Sequence, residues 1–447
     1  VIGNKAKPLS LRSLLQGLRA SPADDRFFSL LRWLLPGMRV KRYALLAFLG
    51  LLAMFVGVVH FSWHTPLWGW FLQVVRWTGP WAVPMWLSGS VWLGLGVLLF
   101  LLGLRAMNRS LLSTFTDPAL VSKQVYIRRR LEAGPRIVAL GGGTGLSRVL
   151  LGLKQETANT TAIVAVTDDG GSTGRLRVSF GVPAVGDLVD CLAALSDAGG
   201  LPDLMKYRFQ RGGELAGHTF GNLMLVSLAE LHQDFAEAIR QANQVLRLRG
   251  AVWPATYEAA RLWAERDDGS RVEGETALRE RKGRIFKVGL APMDVAAMPE
   301  AIEALQKAEM IVLGPGSLYS SVIPSFLPKG IQTAIQLSQA KLVYIVNIMS
   351  ERGETEGMDA FDHLRAIEQH LGRRPGVVLV NNAPIPIGVL KRYQAEGQQP
   401  VRFNPERFRG LGVRIVADDF LEPGQAQHDP SRLVRALMAL CQPRSLL

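Results

Sequence analysis

Two patterns of apolar residues divide the chain. Between Arg42 and Arg76, and again between Arg76 and Arg105, no Asp, Glu, Lys or Arg interrupts the sequence. Each gap holds a run long enough to cross a bilayer core of about 30 Å, which takes about 20 helical residues. The pattern places two spans at residues 43–61 and 85–104. A secretory signal peptide fits badly, because the first run starts late, is too long and is followed by a second. A buried helical hairpin in a soluble domain is the competing reading, and runs this long disfavour it. Trp63, Trp68, Trp70, Trp77, Trp81 and Trp86 crowd the connection, as interfacial aromatics do.

From Arg136 onward the texture changes. IVAL (137–140), AIVAV (162–166), MIVLG (310–314), LVYIVN (342–347) and GVVLVN (376–381) are continuous short apolar runs, as strands buried on both faces read. Helical stretches such as residues 299–307 and 358–371 lie between them. Strand alternating with helix predicts an α/β fold, a Rossmann-like, doubly wound and mostly parallel sheet. Residues 253–289 break the rhythm with a polar stretch and an Asp268-Gly269 turn signal, which predicts a small β-hairpin insertion in or beside the main sheet. The chain thus reads as a basic cytoplasmic segment (1–42), a transmembrane hairpin (43–104), a connector (105–134) and an α/β domain (135–447).

Charge orients the hairpin. Arg32, Arg39, Lys41 and Arg42 precede the first span, and Arg105, Arg109, Lys123, Arg128, Arg129 and Arg130 follow the second, while the connection carries only Arg76. Basic flanks mark the cytoplasmic side, so both termini and the main domain are expected in the cytoplasm, on a multi-pass protein of the cytoplasmic membrane. Much of the formal net charge of +13 is attributed to these flanks, which would meet anionic headgroups. A generally basic proteome is the plainer explanation. No nucleic-acid partner is expected, because basic residues are not interleaved with aromatics on a groove-sized face. Cys191 and Cys441 have no metal or redox spacing and read as buried small hydrophobes.

Four polar segments carry the candidate chemistry, most of them directly after apolar strands, where open α/β sheets bind ligands. The first is Gly141, Gly142, Gly143, Thr144 and Gly145, leading into a helix expected over 146–154. Glycine permits positive φ and lets an anion approach backbone N–H groups, and the helix start adds donors. A phosphate or diphosphate is the natural guest, although a tight turn without ligand would explain a lone glycine cluster. There is no GxxxxGK[ST], and Arg148 stands where a GxGxxG wants its third glycine, which argues against a nicotinamide domain.

The second segment, TDDGGSTGRLR (167–177), offers Asp168 and Asp169 for sugar hydroxyls or a divalent metal. A flexible loop follows them, with Gly170, Ser172 and the phosphate-suited Arg175. A solvated acidic turn would account for the carboxylates but not for that sequel. The third pairs Asp187, at the start of a helix expected over 188–196, with His218 and Asn222 at another helix start near Leu223. Asp187 as an N-cap and His218 as a structural histidine are the bland alternatives. The fourth, GPGSLYSS (314–321), is a second glycine–serine loop with Gly314, Gly316 and Ser317. Asn347 and the Gly353-Glu354-Thr355 stretch are placed to close the site.

In this order, GGGTG, DDGGSTGRLR, GD…C, GHTFGN, LGPGSLYSS and N-x-M-x-x-x-GET resemble the YvcK/CofD-like family over about residues 136–440. The resemblance implies a Rossmann-like domain binding a nucleotide-containing ligand. The CofD branch is similar to a transferase of 2-phospho-L-lactate. The YvcK branch, the gluconeogenesis factors, binds UDP-N-acetylglucosamine and links carbon status to cell-wall synthesis and cell shape. The chain looks closer to the second branch. By position, the resemblance implies residues 141–145 for the diphosphate and Asp168 and Asp169 for the nucleoside or metal. It implies His218, Asn222, Gly316 and Ser317 as the rest of the pocket. One departure stands out: the P-P-G-D-[IL]-R-N-C-L of the regulatory branch becomes PAVGDLVDCL, with Val189 and Asp190 for arginine and asparagine.

The expected function is therefore a membrane-tethered regulator that binds a UDP-sugar or other nucleotide and needs no chemistry. Enzymes of cell-wall synthesis or carbon metabolism are the partners that the resemblance implies. The alternative is a CofD-type phosphotransferase in which Asp168 and Asp169, with a metal, activate the acceptor. A symmetric homodimer is the default assembly.

Overall fold

The computed structural model describes residues 40–61, 85–112, 127–281 and 283–441. It divides into two units, residues 1–127 and 128–447.

In the first unit, α1 (Val40–Phe61) and α2 (Met85–Leu112) pack side by side and run antiparallel. The seam is made of glycines seven residues apart: Gly50 and Gly57 on α1, Gly89, Gly96 and Gly103 on α2. A Cβ at Gly50 would lie 2.5 Å from the backbone N of Phe100, and one at Gly57 2.7 Å from that of Leu93. Small residues bring two backbones this close, as helix pairs in lipid use them. The outer surface is apolar, with Leu45, Phe48, Val91 and Leu101 all more than half exposed.

Only one described helix, Gly89–Met107, is long and apolar enough to cross a membrane. Two spans were expected. The apolar stretch of α1 is Leu45–Val58, about 21 Å at the helical rise and short of a bilayer core. Most of the tryptophan-rich connection and the basic segment 1–39 fall outside the described residues.

The second unit carries, in chain order, β1 (Ile137–Gly141), α3 (Gly143–Leu153), β2 (Thr160–Val164), α4 (Gly171–Phe180), α5 (Gly186–Leu195), α6 (Leu201–Lys206), α7 (Phe220–His232), α8 (Phe235–Val245) and β3 (Ala251–Pro254). Then come β4 (Arg261–Arg266), β5 (Arg271–Glu273), α9 (Glu275–Glu280), β6 (Ile285–Ala291), α10 (Pro299–Lys307), β7 (Met310–Leu313), α11 (Lys329–Leu337) and β8 (Lys341–Ile345). The unit ends with α12 (Ala360–Leu371), β9 (Val377–Asn381), α13 (Ile387–Ala395), β10 (Arg414–Asp418) and α14 (Pro430–Cys441). The main sheet has the order β10-β9-β8-β7-β1-β2-β3, and every pairing in it is parallel.

The apolar runs form strands because both faces are covered. Every residue of β1 is buried. Ile137 and Ala139 pack with Leu146, Leu150, Leu188 and Leu433 on one face. Val138 and Leu140 pack with Leu305, Ile331 and Leu364 on the other. The two faces thus take alternate residues, as the pleat requires.

The insertion is larger than a hairpin. β4, β5 and β6 form their own three-stranded antiparallel sheet, with the 266–270 turn joining β4 to β5. Trp253, read as part of the insertion, belongs to β3 of the main sheet. The loop expected after Asp169 is instead the helix α4, because Gly171 takes φ +48° and the chain winds until Gly181 stops it at φ +67°. Among the cysteines, Cys191 is buried and Cys441 is half-buried.

Candidate functional site

Chain order reverses between β1 and β7: β2 and β3 build outward on one side, β7 through β10 on the other. Loops leaving neighbouring strands diverge at such a switch point and open a crevice. Here it is a cleft of about 430 Å³, lined by Gly142, Gly143, Thr144, Gly145, Gly316, Ser317 and Asn347, with Asp168 and Asp187 on one wall.

The two glycine loops are built around each other. Gly141 (φ +155°) lies against Gly314 (φ +77°), and a Cβ at Gly145 would sit 2.6 Å from the carbonyl oxygen of Pro315. Bare backbone is needed here for packing as much as for any ligand. Asn347 holds the second loop: its Oδ1 accepts from the Gly316 N–H at 3.1 Å, and its Nδ2 donates to Glu351 at 3.1 Å.

Some anion positions are already filled by carboxylates of the chain. Asp187, in the first turn of α5, caps nothing in its own helix and instead accepts from the Gly143 N–H. Glu354 accepts from the N–H groups of Tyr319 and Ser320, each at 3.2 Å, and from the Ser320 hydroxyl at 2.9 Å. No side chain among the described residues accepts from the N–H groups of Thr144 and Gly145 at the start of α3.

Two arginines line the cleft. Arg148 pairs with Glu422, donates to Gln427 at 3.0 Å and to the His428 carbonyl at 3.2 Å. Arg279 pairs with Glu275 at 2.6 Å and reaches Glu354 at 3.5 Å. The small sheet delivers Arg279 and Glu275 on α9, and the buried Arg266 ties that sheet down by donating to the carbonyls of Leu278 (2.8 Å), Arg281 (2.7 Å) and Gly353 (3.3 Å). Gly353 (φ +78°) must lack a side chain, since a Cβ would stand 2.5 Å from the Arg279 carbonyl.

Acids outnumber cations in this cleft, and burial raises several of their carboxyls. Burial, then the charges of Asp168 and Asp190, push the Asp187 carboxyl up to about 7. Burial pushes Glu275 up to about 8 against the pull of Arg279. Glu351 and Glu354 are raised as well, by burial first. Near neutral pH several of these groups can donate a hydrogen bond rather than repel an anion. Among the described residues no three His, Cys, Asp or Glu stand together as a metal-binding group.

The other expected site residues lie beside the cleft. Asp168 lines it and also accepts from the Gly170 N–H at 2.8 Å. Asp169 turns away, accepting from the Thr276 N–H at 3.0 Å and hydroxyl at 2.9 Å, so the two carboxylates do not act as a pair. Ser172, His218 and Asn222 form a separate buried network, with the exposed Arg175 at its rim. The Ser172 hydroxyl lies 2.8 Å from His218 Nδ1 and accepts from Asn222 at 3.0 Å, while Arg175 Nε donates to His218 Nε2 at 3.3 Å. That network ties α4 to the start of α7. Val189 packs against Gly221 of α7, and Asp190 faces Lys206 and Arg208. Neither departing residue lines the cleft.

The sequence reading missed Glu275, Arg279, Glu351 and Gln427, and met Arg148 only as a broken motif, while Ser321 of the second glycine–serine loop does line the cleft. For Glu275, Arg279 and Glu351 the one sequence signal is charge in stretches without apolar periodicity, and Gln427 carries none.

Comparison with known proteins agrees with this architecture. Residues 137–421 match the family model described as 2-phospho-L-lactate transferase CofD. The Bacillus subtilis protein named gluconeogenesis factor is 39% identical over 310 residues, 68% of this chain and 98% of its own. A Deinococcus radiodurans relative is 41% identical over 418 residues, 91% of this chain and 89% of its own, more than the α/β unit alone can supply. A crystal structure of a Bacillus halodurans protein of the UPF0052 family superposes with a TM-score of 0.66 at 40% identity, covering 68% of this chain and 99% of that one. The chain therefore belongs to the gluconeogenesis factor (YvcK) family and carries a CofD-type α/β domain.

Proposed function

We propose that the α/β unit binds a nucleotide sugar of the UDP-N-acetylglucosamine kind and acts as a regulator linking carbon metabolism to envelope synthesis and cell shape. The observation that carries this reading is the cleft at the switch point, where the start of α3, with the N–H groups of Thr144 and Gly145, and the glycine–serine loop of Pro315, Gly316 and Ser317 line the same space. A diphosphate fits donors of this kind. The protonated carboxyls of Asp187 and Glu275 are suited to sugar hydroxyls or phosphate oxygens, with Arg148 and Arg279 as counter-charges. Native mass spectrometry of the full chain, released gently from detergent, tests it. A co-purifying mass of a nucleotide sugar is expected; a persistently ligand-free chain that also fails to take up added nucleotide sugar refutes it.

The N-terminal unit is read as the membrane tether, with α2 crossing and the shorter α1 packed along it through the glycine seam. The exposed apolar surface of both helices supports this. The chain should sediment with membranes and resist carbonate extraction, and a reporter at Leu447 should read cytoplasmic. Release into the soluble fraction would remove the tether from the account.

A second reading, a transferase of the CofD type, rests on Asp168, the carboxylate of the DDGG motif that reaches the cleft. Metal-dependent turnover of a nucleotide-activated donor, abolished by Asp168→Asn, would establish it. Absence of turnover with intact binding leaves the regulator.

A further inference from the structure

The chain protects its sheet edges unequally. At the β3 edge, the Asn243 side chain donates to the Val252 carbonyl and accepts from the Val252 N–H, both at 2.9 Å, and Pro254 removes another donor. At the β6 edge of the small sheet, His370 Nε2 accepts from the Val288 N–H at 3.0 Å. The facing edge, β5, is only three residues long. These devices prevent edge-to-edge pairing.

β10 has none of them. It is the last strand of the main sheet and pairs only with β9. Arg414 donates to the Gly376 carbonyl and the Asp418 carbonyl accepts from Asn382, each at 2.9 Å. Residues 414, 416 and 418 therefore bond inward, and Ile415 and Ala417 turn their N–H and C=O groups outward. No described group outside the strand bonds to those two residues.

We propose that β10 is the dimer interface of this chain, pairing antiparallel with the same strand of a second copy about a two-fold axis at Val416. The sequence RIVAD is self-complementary in that register. Ile415 exchanges both backbone bonds with Ala417 of the partner subunit, which is the phase the outward groups require. Arg414 then faces Asp418 of the partner subunit at a non-hydrogen-bonded position, where side chains approach most closely. Any one-residue slip opposes inward-bonding groups to outward ones and separates the charges. Beside the strand runs a groove of about 580 Å³ lined by Val416 and Phe420 and by Ala436, Ala439 and Leu440 of α14. Pairing brings the two α14 helices onto one face of a joined fourteen-stranded sheet, with small residues toward the axis. The symmetry is closed and isologous.

Cysteine cross-linking of the full chain in detergent or nanodiscs tests this. At a non-hydrogen-bonded antiparallel pair the Cα atoms lie about 4.5 Å apart, within disulfide reach. Val416→Cys should form a disulfide-linked dimer at least tenfold more than Ile415→Cys, whose axis-related copy is out of register, and more than the native chain with its Cys191 and Cys441. Adding Ala417→Pro, which deletes an outward N–H, should abolish the cross-link. Asp418→Arg should weaken it, and Arg414→Asp with Asp418→Arg should restore it. Cross-linking no greater for Val416→Cys than for Ile415→Cys overturns the proposal. So does a dimer indifferent to both the proline and the charge swap, or a foreign chain captured on β10 in place of a second copy.

Discussion

Replacing Asp187 by asparagine should make the protein more stable, and the gain should grow with pH. The carboxyl is largely buried, close to Asp168, and is raised from 3.8 to about 7. A folded-state value above the unfolded one means that the native state binds the proton more tightly. The stability associated with it is complete below 3.8 and is lost as pH rises through 7. A shift of about three units is worth about 4 kcal/mol at ~1.36 kcal/mol per unit. Of this, about 2–3 kcal/mol accrues between pH 5 and pH 8. Asparagine keeps an oxygen for the Gly143 N–H and carries no charge to bury. Urea unfolding of the full chain, followed by tryptophan fluorescence, reads this directly. With a slope of about 3 kcal/mol/M, the midpoint of Asp187→Asn should exceed that of the native chain by about 1 M more at pH 8 than at pH 5. A midpoint difference that does not change with pH, or a variant less stable at pH 8, would refute the reasoning about this carboxyl.

Other outcomes follow from the same geometry. Gly145→Ala drives a Cβ into the Pro315 carbonyl and should cost about 1–3 kcal/mol in urea unfolding; an unchanged midpoint would show that the loops are not in contact. Arg279→Gln should weaken nucleotide-sugar binding about tenfold or more, as losing a charge-assisted bond of about 1.5–3 kcal/mol requires, and equal affinity would remove Arg279 from the site. Affinity for an anionic ligand should fall as pH rises from 7 to 9, because binding favours the protonated forms of Asp187 and Glu275, and a rise would invert the electrostatic picture. Gly96→Leu intrudes on the Met54 backbone and should lower the melting temperature of the helix pair in micelles; an unaltered melt would mean the seam is absent.

The sheet was legible because its strands are buried on both faces, and such strands cannot hide among polar residues. β10 escaped notice because its residues are half-exposed or exposed, so RIVAD lacks the unbroken apolar signature of Met310–Leu313. The two glycine loops were legible as places, since only glycine tolerates that backbone approach. Their occupancy was not. That Asp187 would fill the Gly143 N–H, and that Glu354 would fill those of Tyr319 and Ser320, depends on how distant segments dock. Asp168 and Asp169 are neighbours in sequence, yet one faces the cleft and the other anchors α9. Arg279 and Glu275 come from an insertion with no periodicity. The membrane reading counted apolar residues and passed over the heptad-spaced glycines, which the packing of α1 on α2 makes meaningful.

Calorimetric titration of the full chain with UDP-N-acetylglucosamine bears most directly on the central claim, that the free amides at the start of α3 and the facing glycine loop hold a diphosphate. Saturable one-to-one heat is expected, weakened tenfold or more by Arg279→Gln. No heat with this or any other nucleotide sugar, from a chain that unfolds cooperatively and is therefore intact, would contradict it.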